Sequence, residues 1–328
     1  MYNVIISHPV LDEGMKLFDG RAKVYVANSA DPKAYYAQLA DAEAVILRLA
    51  TFDREAFAHA PKLRVIGRVG VGYDSVDIEA ANEYGVPVVI TPGANSLSVA
   101  EHAVALTFAL AKNIVEGHVE TLKGNFSAVR NQGKAFELGG KTVGFVGYGA
   151  IGRLAAQMFS GIGMKVLVYD PYVKQEAIEA QGYGYAASLQ ELLPQADVVT
   201  IHVPLTKETA GMIDREALRS MRPTALLINC ARGGIVDEHA LAWALNNDVI
   251  AGAGLDVTEH EPPLPEDEIL SAKNLILSPH IAAQTREASF KMAQMCIEGC
   301  FDVLEGKKIR NVANPQAYNH ARWKDIKE

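Results

Sequence analysis

The chain has 328 residues, 49% of them hydrophobic, with 31 Lys and Arg against 39 Asp and Glu and a formal net charge of −8 at pH 7. That length supports about two domains and a sizeable core. The acidic balance, with no lysine- or arginine-rich run, argues against nucleic acid or an anionic membrane as partner, while a small anion needs only one or two local cations. No apolar stretch approaches the roughly 20 residues that span a bilayer. Met1–Ser7 reads as a strand, without the basic region of a signal peptide. The expectation is therefore a cytoplasmic protein.

Apolar runs of strand length alternate with helix-period stretches, the pattern of parallel βαβ units. Strands are predicted near Asn3–Ser7, Ala22–Val26, Ala44–Arg48, Leu63–Arg68 and Pro87–Ile90, with helices such as Pro32–Leu39 and Asp53–Ala58 between them. Thr91–Ser98 is loop chemistry, and it leads into a long amphipathic helix, Val99–Asn113, with Ser98 as N-cap and Glu101 three residues on. A second series follows at Lys141–Gly147, Lys165–Asp170, Asp197–His202, Ala225–Cys230, Val249–Leu255 and Asn274–Leu277. Thr285–Glu305 has helical period and returns the chain to the first series. The fold class is α/β, two doubly wound parallel-sheet domains. One is built from 1–98 and 285–328, the other from 99–284, with two bridging helices and a cleft between them.

Three cysteines make no disulfide framework and fit no metal-ligand spacing, so no metal site is expected. Cys296 and Cys300, one helical turn apart, read as packing residues. Pro262–Pro265 marks a stiff loop. The tail Tyr318–Lys324, aromatic and basic, reads as a disordered end, the other reading being an arm that reaches a neighbouring active site.

The second series opens with a dinucleotide fingerprint. Strand Lys141–Val146 precedes Gly147-Tyr-Gly-Ala-Ile-Gly152, then a helix, then strand Lys165–Asp170 ending in an acid. Glycines permit the tight turn and close approach of backbone amides to a pyrophosphate at the helix N-terminus. Asp170 stands where a carboxylate accepts both ribose hydroxyls of NAD and repels the extra phosphate of NADP. The expected cofactor is NAD, bound by a Rossmann domain inserted in a flavodoxin-like substrate-binding domain.

Three ionisable residues lie at or beyond strand ends in the same half: Arg232, Glu261 and His280. In a parallel sheet those ends share one edge, where such folds bind ligands. A 2-keto acid reductase needs a group that protonates the carbonyl oxygen and a cation for the carboxylate. His280 is the candidate acid, because an imidazole can give and take a proton, Glu261 can bond its other nitrogen, and the planar fork of Arg232 suits a carboxylate. Asp256, at a strand end, is either an N-cap or a contact for the nicotinamide end of the cofactor. Cys230, near the same edge, has no base motif that would make it a nucleophile.

These segments resemble the D-isomer-specific 2-hydroxyacid dehydrogenase family, most of all its D-3-phosphoglycerate dehydrogenase branch. The matching stretches are Gly67–Asp74, Pro92–Ser96 running into Glu101-His102, Gly147–Gly152 with Asp170, Asn229–Asp237, Gly254–Val257 leading to Glu261–Pro263, and Ser278–Ile281. The resemblance implies a catalytic triad of Arg232, Glu261 and His280, with His280 the proton donor in reduction. It implies that Gly147, Gly149, Ile151, Gly152, Asp170, His202, Cys230, Ala231 and Asp256 contact NAD, and that backbone amides at Val69, Gly70 and Val71 hold the substrate carboxylate. It also implies a homodimer or homotetramer with contacts largely from the cofactor domain. Related formate dehydrogenases carry glutamine where this chain has Glu261.

The stretch Leu47–Thr51 resembles the loop that presents an arginine to substrate in phosphoglycerate dehydrogenases. Arg48, as a second cation, suggests an anionic group at carbon 3, phosphate or sulfonate. Leu49 stands where that branch has serine, Val69 replaces alanine and Ser75 replaces asparagine. Hydroxypyruvate, glyoxylate and 3-sulfopyruvate thus stay open as substrates, and the expectation is a protein without the regulatory domain of longer relatives. A reading of a different class is an NAD(H)-sensing interaction protein, like the family's transcriptional corepressors. The intact triad and the absence of long disordered extensions favour the enzyme.

Overall fold

In the computed structural model, which describes residues 1–48 and 50–324, the alternating apolar runs become two parallel sheets. Contacts divide the chain into one unit of Met1–Asn95 with Gln284–Glu328 and another of Ser96–Ala283.

The first unit is a five-stranded sheet of β1 (Tyr2–Ile6), β2 (Ala22–Val26), β3 (Ala44–Leu47), β4 (Val65–Arg68) and β5 (Val88–Val89), in the order β2-β1-β3-β4-β5. The strand order reverses between β1 and β3, so loops leave the carboxyl ends of these two strands in opposite directions and open a crevice there. β3 is buried along its whole length, as a parallel strand covered on both faces must be. The helix Arg286–Leu304, N-capped by Thr285, packs here. Its Cys296 and Cys300 are buried packing residues, and a Cβ at Gly67 of β4 would come within 2.5 Å and 2.6 Å of their sulfurs.

The tail corrects an expectation. As far as residue 324 it is not a loose end: Trp323 Nε1 donates to Gly85 O at 2.7 Å, Arg322 Nη1 donates to Leu63 O at 2.6 Å, and Tyr318 packs edge-on against Trp323. Just before it, Asn314, fully buried, donates to Val86 O and accepts from Val88 N, so the chain leading into the tail lies along β5. Two buried aromatic rings supply the apolar area that basic composition had obscured.

The second unit is a seven-stranded sheet of β6 (Thr142–Val146), β7 (Lys165–Tyr169), β8 (Gly184–Tyr185), β9 (Val198–Ile201), β10 (Leu226–Asn229), β11 (Gly252–Leu255) and β12 (Leu275–Leu277), ordered β12-β11-β10-β9-β6-β7-β8. Its helices include α1 (Ser96–Ala111), α2 (Ala150–Gly161) and α3 (Glu238–Asn246). β8 was not anticipated, because two residues carry no periodicity. The helix α1 begins at Ser96, so Ser98 is inside it and not its N-cap. The buried Ser98 hydroxyl instead donates to Ala282 O at 2.5 Å, giving a buried polar group its partner. Val249 and Ile250 precede β11 rather than extending it, packing into the core from a turn.

Candidate active site

In the second unit the strand order reverses between β6 and β9, and the glycine turn leaves β6 at that point. Gly147 has φ +99°, a left-handed conformation that favours glycine, and a Cβ on it would meet His202 O at 2.8 Å. At Gly152 a Cβ would lie 2.5 Å from Gly147 O, so only glycine lets α2 seat this close to the turn. Gly149 caps α2 without a side chain and has nothing within 4 Å of where its Cβ would be. The first-turn amides of α2, Ile151 and Gly152 among them, have no side-chain cap from Gly149 and stand at the positive end of the helix. Asp170, just past β7, is held from both sides: Oδ2 accepts from Tyr148 N at 2.7 Å and Oδ1 from Tyr172 N at 2.8 Å. Each oxygen keeps a second lone pair for a ligand hydroxyl. An open glycine cradle, uncapped helix amides and an acid on the next strand are what a dinucleotide requires. The residues fit NAD.

His202, after β9, stacks on Phe145 at 5.6 Å and pairs Nε2 with Thr200 Oγ1 at 2.9 Å. Part of the residue stays open, but burial of the ring pushes its pKa down to about 4, so it stands here as a neutral wall. Cys230 is buried after β10, and burial, then the charge of Asp256, pushes its thiol well above the usual range. It is no nucleophile.

The loop carrying His280 is anchored by Asp256, which follows β11 and is 1% exposed. Its Oδ1 accepts from Ser278 Oγ at 2.6 Å and Ile281 N at 2.9 Å, Oδ2 accepts from Ala282 N at 2.8 Å, and its backbone carbonyl accepts from His280 N at 2.9 Å. His102 of α1 closes the network, with Nε2 2.9 Å from Ser278 Oγ. Asp256 is thus not an N-cap; it folds the 278–282 loop around itself. His280 sits in that loop at φ +52°, a left-handed conformation unusual for a non-glycine residue and found where surroundings over-determine the backbone.

That loop aims His280 at Glu261, with Nδ1 and Oε2 2.7 Å apart. Burial raises the Glu261 pKa, but the His280 hydrogen bond, the charge of His280, the Thr258 amide and Arg232 together outweigh it, leaving the carboxyl below its ordinary value. Arg232 occupies the turn after β10. Asn229 shapes that turn by accepting from Ala231 N at 3.0 Å and donating to Arg232 O at 2.8 Å, while Arg232 Nη1 donates to Ala231 O at 2.7 Å. Next to it, Gly233 runs so close to the following strand's loop that a Cβ would lie 2.0 Å from Thr258 O. Thr258 N in turn donates to Glu261 Oε1 at 3.4 Å. The three ionisable residues thus come together through backbone contacts between neighbouring loops. Sequence reasoning did not assign roles to Ser278, His102, Thr258 or Gly233; the close pass of Gly233 leaves only a glycine in the sequence as its trace.

In the first unit, Arg48 follows β3 at that sheet's own reversal point. Its backbone N donates to Ser7 Oγ at 3.2 Å, and its guanidinium donates to Gln284. Leu49 lies outside the described residues. Val69 N donates to Leu47 O at 2.9 Å, Gly70 has φ +151° and accepts from Thr91 N at 3.0 Å, and Val71 is exposed. The Val69–Val71 segment is thus a backbone turn just past β4.

Residues 104–282 match the NAD-binding domain of the D-isomer specific 2-hydroxyacid dehydrogenases. A D-3-phosphoglycerate dehydrogenase of Methanocaldococcus jannaschii is 37% identical over 315 residues, covering 96% of this chain and 60% of that protein. The chain therefore spans about 60% of the length of that relative. A glyoxylate reductase of Korarchaeum cryptofilum is 37% identical over 87% of this chain and 86% of its own length. Among solved structures, the TT0316 protein of Thermus thermophilus aligns with a TM-score of 0.87 and 33% identity, over 95% of this chain and 99% of that one. The chain belongs to the D-isomer specific 2-hydroxyacid dehydrogenase family.

Proposed function

We propose that this chain is an NAD-dependent oxidoreductase acting on a small 2-hydroxy or 2-keto acid of D configuration, one that carries an anionic group at carbon 3 as 3-phosphoglycerate does. The observation that carries the reading is the 2.7 Å contact of His280 with Glu261 beside the Arg232 turn. The bound cofactor supplies or accepts the hydride. His280, its Nδ1 on Glu261, presents its other nitrogen to the substrate oxygen, giving a proton in reduction and taking one in oxidation. Glu261 fixes the ring and stabilises its charged form, and Arg232 holds the carboxylate. The cofactor cradle uses Gly147, Gly149, Ile151, Gly152, Asp170, His202, Cys230, Ala231 and Asp256. The first unit is read as the substrate-binding domain, with Arg48 and the Val69–Val71 turn as the groups in it that hold the substrate. An NADH-oxidation screen over 2-keto acids tests the reading.

A second substrate reading, glyoxylate or hydroxypyruvate, is supported by the likeness to a glyoxylate reductase covered over 86% of its length and by Val69 and Ser75, which depart from the phosphoglycerate branch. A homodimer or homotetramer is supported by exposed apolar side chains at Ile114, Val115, Val119, Leu122 and Phe126 of the second unit, which a second copy would cover. A monomer by light scattering would remove that proposal. No described helix is long and apolar enough to cross a membrane. The composition is in keeping with a cytoplasmic place of work.

A further inference from the structure

Glu238 is the first residue of α3, a helix already capped by Asp237, whose Oδ1 accepts from Ala240 N at 2.9 Å. An acid in a helix's first turn ordinarily sits in solvent and gains from the dipole alone. Here it is 8% exposed. Its Oε1 accepts from Glu259 N at 2.6 Å, and Glu259 Oε1 accepts from Glu238 N at 3.3 Å, so the two residues cross-bond side chain to backbone in both directions. Burial, above all, raises the Glu238 pKa; the Glu259 amide lowers it, the charges of Glu259 and Asp267 raise it, and that of His260 lowers it. A carboxyl buried among other acids is an unfavourable choice for packing alone. What it gains is a grip on one amide, and that amide lies two residues before Glu261.

The same segment is braced from the other side by the close pass of Gly233 against Thr258. We propose that Glu238 is a positioning residue: by fixing the Thr258–Glu261 segment to the start of α3, it sets the Glu261 carboxylate at hydrogen-bonding distance from His280. The inference rests on the roles given above to Glu261 and His280. Losing the grip frees the segment to shift by about an ångström, and a displacement of that size in a catalytic group lowers turnover on the order of a hundredfold.

The test compares Glu238→Ala, Glu238→Asp and Glu238→Gln with Glu261→Gln, each checked for folding by circular dichroism. In protein labelled with ¹⁵N-histidine and free of cofactor, the low-field proton on His280 Nδ1, assigned by its loss in His280→Ala, reports the bond to Glu261 directly. The expected result is loss or a large upfield shift of that resonance in E238A, with kcat reduced about tenfold to a hundredfold and KM for NADH little changed. E238Q, which keeps an acceptor at the same reach, retains the resonance and most of the turnover. The double variant E238A/E261Q falls no further than E261Q alone. Should E238A fail to fold, E238D, whose carboxylate is drawn back by one methylene, must show the same loss. A resonance and kcat unchanged in folded E238A or E238D overturn the proposal, as does a full additive loss in the double variant. If E261Q and H280A themselves leave turnover intact, the functional reading fails, while the resonance still decides whether Glu238 sets the pair.

Discussion

Replacing Asp256 by asparagine changes one oxygen for an amide nitrogen and should loosen the catalytic loop. The native carboxylate accepts three bonds, from Ser278 Oγ, Ile281 N and Ala282 N. If the asparagine NH2 takes the Oδ1 place, Ser278 can rotate its hydroxyl to accept, but the Ile281 N–H is left facing a donor. If it takes the Oδ2 place, the Ala282 N–H is. Either orientation leaves one backbone donor without its acceptor at a site that is 1% exposed. Such an orphan costs about 1–3 kcal/mol. At roughly 2–4 °C per kcal/mol for a unit of this size, a loss of about 2 kcal/mol lowers Tm by about 4–8 °C. Because the same loop sets His280 in its left-handed conformation, kcat should drop about tenfold to a hundredfold. Differential scanning calorimetry and steady-state NADH oxidation measure the two effects. A D256N variant with native Tm and native kcat would show that the network around Asp256 neither supports the loop nor places His280.

Other outcomes follow from the same geometry. With Asp170 at the ribose position, NAD(H) should be preferred over NADP(H) by a few kcal/mol in transition-state terms, and equal kcat/KM for the two cofactors would refute the assignment. Arg48→Ala should raise KM for a phosphorylated or sulfonated keto acid far more than for glyoxylate; equal losses would make Arg48 a support for the fold. Glu261→Gln replaces the carboxylate 2.7 Å from His280 Nδ1 by a neutral amide and should lower kcat in both directions while leaving KM for NADH little changed. Native kcat in both directions would sever Glu261 from His280.

The sheet architecture was legible because fully buried parallel strands are near-continuous apolar runs, as Ala44–Leu47 and Val198–Ile201 are. Their ends were less so, since an apolar residue such as Ile250 serves a turn as well as a strand. The triad residues stood out as charged groups after such runs. What arranges them did not, because Gly233 against Thr258, or Asp256 gathering the amides of residues 281 and 282, are contacts between segments distant in sequence. Ser98 misled for a related reason: the capping pattern was present, but a carbonyl at Ala282, 184 residues away, took the hydroxyl. The tail misled because a few buried rings outweigh a basic composition.

The central claim is that His280 moves the proton of a 2-keto acid reduction. The most direct test is NADH oxidation by the purified chain, wild type and His280→Ala, over glyoxylate, hydroxypyruvate, 3-phosphohydroxypyruvate and 3-sulfopyruvate, with NADH binding followed by fluorescence. The account predicts turnover of at least one of these by the wild type, near-abolition in H280A, and unchanged NADH affinity in both. Wild-type protein that binds NADH tightly yet turns over none of the four, or H280A with native kcat, would contradict it.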